Sequence, residues 1–202
     1  MTESYLLLHG LGGSGPTHWQ TWLYRELIKV GKKVYYPTLP EYDKPQLSDW
    51  LKELDQTFQN INKDEKLTVI AHSLGCILWL QYIKNGLPGK AERVLLVAPP
   101  SPYYEHESIQ AFFPIDIKGI ENNQPFIHTV QIQSTNDPYC SIEDSHYFKQ
   151  LGIRQKIIVN KGHINVESGF GPWPWVLDYC LKKKQSSFEG GPILKNEQEL
   201  SV

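Results

Sequence analysis

Residues 67–86, LTVIAHSLGCILWLQYIKNG, constrain the fold more than any other stretch of the chain. The segment Leu67–Ala71 is a continuous apolar and β-branched run, which predicts a strand covered on both faces. The residues that follow are apolar almost all round, which predicts a buried helix that ends near Asn85 and Gly86. A buried strand that passes directly into a buried helix is typical of a parallel α/β sheet.

The turn between this strand and this helix reads Ala71-His72-Ser73-Leu74-Gly75. This is the G-x-S-x-G nucleophile elbow with alanine in place of its first glycine. Because so sharp a turn crowds the residues two before and two after the serine, both must be small. The turn aims the N–H of Leu74 and the positive end of the helix at a developing oxyanion. The five-residue pattern also arises by chance, but the flanking strand and helix favour a nucleophile.

Other short apolar runs alternate with amphipathic segments along the chain, which predicts an α/β fold. We expect a mostly parallel central sheet of about six strands, with helices on both faces. The remaining strands are predicted at Ser4–His9, Lys33–Pro37, Arg93–Ala98, Phe126–Gln133 and Gln155–Val159. The other helices are predicted near residues 17–30, 48–61, 108–113, 142–151 and 173–184, the first with a capping box at Thr17 and Gln20 and the second capped by Ser48.

The length and composition indicate one globular domain. The 202 residues include 40% hydrophobic and 21% charged side chains, an ordinary balance for a folded domain. We expect residues 1–183 to form that domain and the polar residues 184–202 to form a poorly ordered tail. We find no internal repeat and no linker that would divide the domain.

The charge and the cysteines exclude several classes of partner. The net charge is −2 and no long basic run occurs, so we expect neither a nucleic-acid nor a membrane partner. No membrane span or signal peptide is evident, and Cys76, Cys140 and Cys180 are an odd, widely spaced set without metal-like pairing. We therefore expect a cytoplasmic protein with reduced thiols and no metal. The oligomeric state is left open.

A glycine-rich loop, residues 10–16, follows the first predicted strand. It matches neither G-x-G-x-x-G nor a Gly-Lys-Ser/Thr phosphate loop, so the nucleotide-binding interpretations are weak. His9-Gly10 after a strand instead resembles the loop that supplies the second oxyanion N–H in α/β-hydrolases, here that of Leu11. A plain turn is the alternative. We expect His9 to order this loop and not to take part in chemistry.

A serine hydroxyl needs a base, and the base needs an acid that holds its tautomer. Asp137 comes directly after the predicted strand 126–133, and His163 comes just after the strand 155–159. Open α/β sheets place their chemistry at these strand ends, and the order serine, acid, histidine fits. Asp144 is the rival acid, although it falls on a predicted helix. The other histidines fit less well. His128 lies in mid-strand and His146 on a helix face, whereas His18 and His106 come before any candidate acid. His72 precedes the serine and should point away from it.

Four segments carry a resemblance to a known family: HGLGGSGPTHWQTWL (9–23), AHSLGC (71–76), STNDPYCS (134–141) and GHINVESGFGPWP (162–174). In these the chain resembles the small serine hydrolases grouped with retinoblastoma-binding protein nine and YdeN. The resemblance implies a compact α/β-hydrolase fold with little or no lid. It also implies Ser73 as nucleophile, His163 as base and Asp137 as acid.

The expected activity is cleavage of small acyl esters through an acyl-enzyme, without a metal or organic cofactor. The segment 99–125 is where this fold usually inserts a lid, and it holds one predicted helix at most, which favours small soluble esters. Five aromatic side chains near the active rim are candidates for an apolar acyl pocket or for plain packing: Trp19, Phe113, Tyr139, Phe170 and Trp173. The sequence does not separate ester from amide, thioester or peroxy-acid chemistry. A catalytically weak protein-binding member of the same fold is the alternative.

Overall fold

The computed structural model describes residues 2–85, 91–115 and 128–182. Its centre is one six-stranded sheet in which every neighbouring pair of strands is parallel. In chain order the strands are β1 Glu3–Leu8, β2 Lys33–Tyr35, β3 Lys66–His72, β4 Ala91–Val97, β5 Thr129–Ser134 and β6 Arg154–Ile158. Their order across the sheet is β2-β1-β3-β4-β5-β6.

Within these three ranges, five α-helices follow strands or lie between them. They are α1 Trp19–Lys29, α2 Leu47–Gln59, α3 Leu74–Lys84, α4 Ile142–Ser145 and α5 Pro174–Leu181. The described residues also contain two 3₁₀ segments, at Glu107–Phe112 and at His146–Leu151.

Alternate residues of the central strands belong to two separate cores. Leu8 of β1 packs in a cluster with the apolar faces of α2 and α3, whereas Leu7 packs in a second cluster with α1 and α5. Successive strand residues point to opposite faces of a sheet, so helices cover both sides. The prediction of a parallel α/β sheet of about six strands with helices on both faces is confirmed.

Several predicted boundaries are wrong by a few residues. β2 ends at Tyr35 instead of Pro37, and the predicted helix at 142–151 is one short α-helix continued by a 3₁₀ segment. The predicted capping box at Thr17 does not form, because α1 begins later with His18 as its N-cap. Ser48 likewise lies inside α2, whose N-cap is Gln46. The His18 side chain caps α1, whereas Gln46 makes no side-chain cap bond to α2, and local spacing revealed neither end.

Some predictions concern residues outside the described ranges. The tail at 184–202, the end of the predicted last helix and residues 126–127 of the predicted fifth strand belong to this group. Of the segment 99–125, the part up to residue 115 carries one short 3₁₀ segment. No helix within the described residues is long and apolar enough to cross a membrane.

Candidate active site

Ser73 occupies the corner between β3 and α3 in a backbone conformation that side chains rarely adopt, with φ 52° and ψ −126°. Such a conformation costs about 1–3 kcal/mol and persists only where its surroundings hold it. The N–H of Ser73 donates to the carbonyl of Val97 on the neighbouring strand at 3.0 Å, and the N–H of Cys76 donates to the Ser73 carbonyl at 2.8 Å. The serine side chain is therefore presented at the carboxyl edge of the sheet.

The glycines around the corner are required by close backbone approach. A Cβ on Gly75 would lie 2.6 Å from the carbonyl oxygens of both Leu8 and His9. A Cβ on Gly10 would lie 2.7 Å from the Cβ of Ser73. The end of β1 and the loop after it thus pack directly against the corner, and only glycine fits at these two positions.

The structure brings Ser73, His163 and Asp137 together. His163 Nε2 lies 2.8 Å from Ser73 Oγ, and His163 Nδ1 lies 3.0 Å from each carboxylate oxygen of Asp137. Because a carboxylate only accepts, Nδ1 carries the proton and Nε2 is free to accept from the serine hydroxyl. The Asp137 side chain has no exposed surface and that of His163 is 9% exposed. Asp137, and not the rival Asp144, is the carboxylate that holds the imidazole.

Hydrogen bonds join the two loops that carry Asp137 and His163. Ser134 Oγ accepts from the N–H of Lys161 at 2.8 Å and donates to Asn136 Oδ1 at 2.9 Å. Asn136 Oδ1 also accepts from the N–H of Gly162 at 2.7 Å. The relative position of Asp137 and His163 is therefore set by the side chains of Ser134 and Asn136 as well as by the direction of the strands.

The Asp137 carboxylate has two further donors. The N–H of Tyr139 donates to Oδ1 at 3.0 Å, and Gln133 Nε2 donates to Oδ2 at 3.1 Å. The sequence reasoning missed Gln133. A signal existed, since Gln131 and Gln133 alternate with the apolar Val130 and Ile132 in a strand that is buried throughout.

His72 connects the serine strand to the histidine loop. Its Nε2 donates to the backbone carbonyl of His163 at 3.0 Å, and its ring centroid lies 5.1 Å from that of His163 and 5.0 Å from that of His18. Burial, followed by the neighbouring imidazoles of His163 and His18, holds the pKa of His72 well below its usual range. His72 is therefore neutral and directed toward the His163 loop.

The other two buried histidines support the loops. His18 Nδ1 caps α1 by accepting from the N–H of Gln20 at 3.2 Å. Burial, then the charges of His163 and His9, lower the pKa of His18 to about 4. His9 accepts from the N–H of Leu39 at 3.1 Å and contacts the Gly10 carbonyl at 2.8 Å, and burial lowers its pKa as well. Both side chains are used in ordering the loop that follows β1.

The predicted oxyanion donors follow Ser73 and Gly10 in the chain, and Gly10 packs against Ser73. Leu74 is the first residue of α3, so its N–H lies outside the intrahelical hydrogen bonds. Leu11 follows Gly10 directly, and its side chain is 41% exposed. Within the described part of the chain the N–H of Leu11 has no acceptor, whereas that of Gly12 is bound to the Tyr42 carbonyl at 2.9 Å. The role of Leu11 and Leu74 stays a prediction.

The predicted aromatic pocket divides into two groups. Tyr139 is 40% exposed and its ring lies edge-on to that of His163, with the centroids 4.5 Å apart. Trp19 has no exposed surface, and it packs in the core with Trp173 and Phe170. For Trp19 the burial favours the packing alternative, because α1 places the side chain in the core, and the pocket role of these aromatic residues stays a prediction. Phe113 is half-buried against the other core.

Among residues 2–85, 91–115 and 128–182, no group of three histidine, cysteine or acidic side chains is placed to hold a metal ion. The three cysteines are buried and free. Burial, followed by the nearby charges of Asp137 and Asp144, raises the pKa of Cys140 to about 12. The thiol beside the acid is therefore protonated at neutral pH.

The chain is similar to known proteins in sequence and in fold. The family model described as "Serine hydrolase" matches residues 5–182. A protein of Bacillus subtilis (strain 168) named "Putative hydrolase YdeN" is 31% identical over 187 residues, which are 88% of this chain and 94% of that protein. The crystal structure of the ydeN gene product from B. subtilis superposes with a TM-score of 0.70 at 22% identity, over 89% of this chain and 96% of that one. A crystal structure of a YdeN-like protein from Pectobacterium atrosepticum gives a TM-score of 0.70 at 24% identity, with 88% of each chain covered.

Proposed function

This chain belongs to the serine hydrolase family, and on that premise we propose that it cleaves small acyl esters through an acyl-enzyme formed on Ser73. The observation that carries the proposal is the continuous contact from Ser73 Oγ to His163 Nε2 at 2.8 Å and from His163 Nδ1 to Asp137 at 3.0 Å. A serine held in this way can be deprotonated as it attacks, which is what acyl transfer requires.

In the first half of the reaction, Ser73 Oγ attacks the ester carbonyl while His163 Nε2 takes the hydroxyl proton. The negative charge that develops on the carbonyl oxygen is stabilised by the N–H groups of Leu11 and Leu74, an effect often worth about 3 kcal/mol for each donor. Asp137 stabilises the imidazolium that forms. The intermediate collapses as the alcohol leaves with the proton from His163 Nε2, and the acyl group stays on Ser73.

In the second half, water attacks the acyl-enzyme and gives one proton to His163 Nε2. Collapse of the new intermediate releases the carboxylic acid, and the proton returns to Ser73 Oγ. Acid, base and nucleophile are thereby restored. Tyr139, exposed beside His163, is the aromatic side chain best placed to contact a bound ester.

The direct test is covalent labelling with a fluorophosphonate probe, which reacts preferentially with an activated serine. We expect one label per wild-type chain, none in Ser73→Ala, and full labelling in Ser48→Ala, which changes an exposed serine of α2. Mass spectrometry of the labelled peptide gives the readout. A wild-type protein that folds but stays unlabelled would contradict the proposal and favour a binding protein of the same fold.

A panel of substrates tests the ester assignment. We expect p-nitrophenyl esters with short acyl chains to be cleaved with higher kcat/KM than the matching anilides, because the anilide leaving group is poorer. A preference for anilides, thioesters or peroxy acids would be compatible with an acyl-enzyme mechanism but would contradict the assignment of esters as the substrate.

A further inference from the structure

Two glutamines occupy the interior of β5, where apolar residues would pack at less cost. Gln131 and Gln133 both have no exposed surface, and they alternate with the buried Val130 and Ile132. Residues two apart in a strand lie on the same face. The two amides therefore lie side by side on one face of β5. This strand leads directly into the loop that carries Asp137.

The partners of Gln133 decide which way its amide faces. Nε2 lies 3.1 Å from Asp137 Oδ2 and 3.4 Å from the carbonyl of Cys140, and both of these groups only accept. Oε1 is left to accept from Gln131 Nε2 at 3.3 Å. A hydrogen-bonded chain thus runs from Gln131 through Gln133 to the carboxylate.

At the Gln131 end of this hydrogen-bonded series, one acceptor lacks a donor. Gln131 Oε1 is buried without a hydrogen-bond partner in the described structure. A buried polar atom without a partner is destabilising, and such atoms call for an explanation other than stability. An apolar pair at positions 131 and 133 would avoid that cost, so the observation points to a role for the amides at Asp137.

We propose that Gln133 is a positioning residue for the acid: its amide holds Asp137 Oδ2 so that the carboxylate stays oriented toward His163 Nδ1. The inference rests on the proposed function. A carboxylate with no exposed surface needs donors from the protein, because water does not reach it. Tyr139 N–H serves Oδ1, His163 contacts both oxygens, and Gln133 supplies the remaining donor to Oδ2.

The first test replaces the amide by an apolar side chain of similar length, in Gln133→Met. We expect kcat for p-nitrophenyl acetate to fall roughly 10- to 100-fold, the range for a lost hydrogen bond to a charged group. KM should stay within about twofold, and the rate of fluorophosphonate labelling should fall by the same factor as kcat. Gln81→Met is the matched control: Gln81 is also buried and bonded, to the Phe112 carbonyl at 2.8 Å, but on α3. We expect it to keep wild-type kcat.

The second test is a pH profile of Gln133→Glu, which keeps the size of the side chain. Two buried carboxyl groups in contact share a proton, so the introduced group donates to Asp137 while it is protonated and repels it once it ionises. We therefore expect near wild-type kcat at the acidic end of the working range and a new falling limb as the pH rises. Wild type and Gln133→Met should lack this limb. A purely structural role for Gln133 would not produce it.

The outcomes separate this inference from the proposed function. If wild type is labelled by the probe but Gln133→Met keeps kcat within twofold, the positioning role is overturned and the proposed function stands. If wild type is not labelled, both fail. If Gln133→Met does not fold, the pH profile of Gln133→Glu decides: a falling limb supports the role, and a profile that matches wild type overturns it.

Discussion

At position 75, the absence of a Cβ atom allows the tight corner that carries Ser73. The space beside Gly75 is filled by the carbonyls of Leu8 and His9, whereas position 71 accepts an alanine that is wholly buried. The alanine that departs from the general elbow motif is therefore compatible with the turn, and the second glycine is not replaceable. Glycine is required at position 75 because α3 approaches the end of β1 so closely.

We expect Gly75→Ala to lower the free energy of unfolding by about 1–3 kcal/mol or more, because the added Cβ would meet two backbone oxygens at 2.6 Å. Displacing α3 would also move Ser73, so the rate of fluorophosphonate labelling should fall. Urea unfolding and labelling rates measure the two effects. Gly15→Ala is the control, since its Cβ would meet nothing within 4 Å and its φ is not positive. Equal stability of the two variants would refute the packing argument.

At the scale of elements, the loops after β5 and β6 act together. They come from neighbouring strands, and Ser134 at the end of β5 and Asn136 in the loop after it accept from backbone N–H groups of the loop after β6. The sequence predicted that Asp137 and His163 would share an edge of the sheet, because parallel strands end there together. It did not predict the bonds that hold the loops in register, since each joins residues about 26 positions apart.

We expect Asn136→Ala to reduce kcat several-fold and to cost about 1 kcal/mol of stability, because the N–H of Gly162 would lose its acceptor. Asn136→Asp keeps an acceptor oxygen at the same position and should retain most of the activity. Steady-state kinetics with p-nitrophenyl acetate and urea unfolding provide the measurements. An aspartate variant as impaired as the alanine variant would argue against the linking bonds as the cause.

At the scale of the whole molecule, three buried histidines make the fold sensitive to acid. His9, His18 and His72 all have pKa values lowered by burial, that of His18 to about 4. In the unfolded chain each would bind a proton near the ordinary value of 6.5. Between these values the unfolded state binds more protons, so stability falls as the pH is lowered. The loss begins near pH 6.5 and, for His18, is complete near pH 4.

We expect His18→Asn to flatten this dependence by removing about 2 kcal/mol of the loss between pH 7.5 and pH 5, the part of the His18 shift that falls in that interval. Asparagine keeps the N-cap acceptor for Gln20, so stability at pH 7.5 should change little. Urea unfolding at pH 7.5 and pH 5 measures the slope. His106→Asn is the matched control, because His106 also caps a helical segment but is exposed. A slope for His18→Asn as steep as that of wild type would refute the assignment.

The sequence alone determined the features that depend on local pattern and on chain order. The run before Ser73 predicted a central strand, the alternation of elements predicted a parallel sheet, and strand-end positions predicted where Asp137 and His163 would lie. These predictions succeed because strand periodicity and the alternation of strands and helices, which implies parallel strands, can be read from the linear sequence.

Only the tertiary structure decided which side chains fill the space around that edge. Trp19 is packed into the core, Tyr139 is exposed beside His163, and Gln133 reaches Asp137 from inside the sheet. The physical reason is that burial and hydrogen-bond partners depend on contacts between residues far apart in the chain, which neither periodicity nor spacing records.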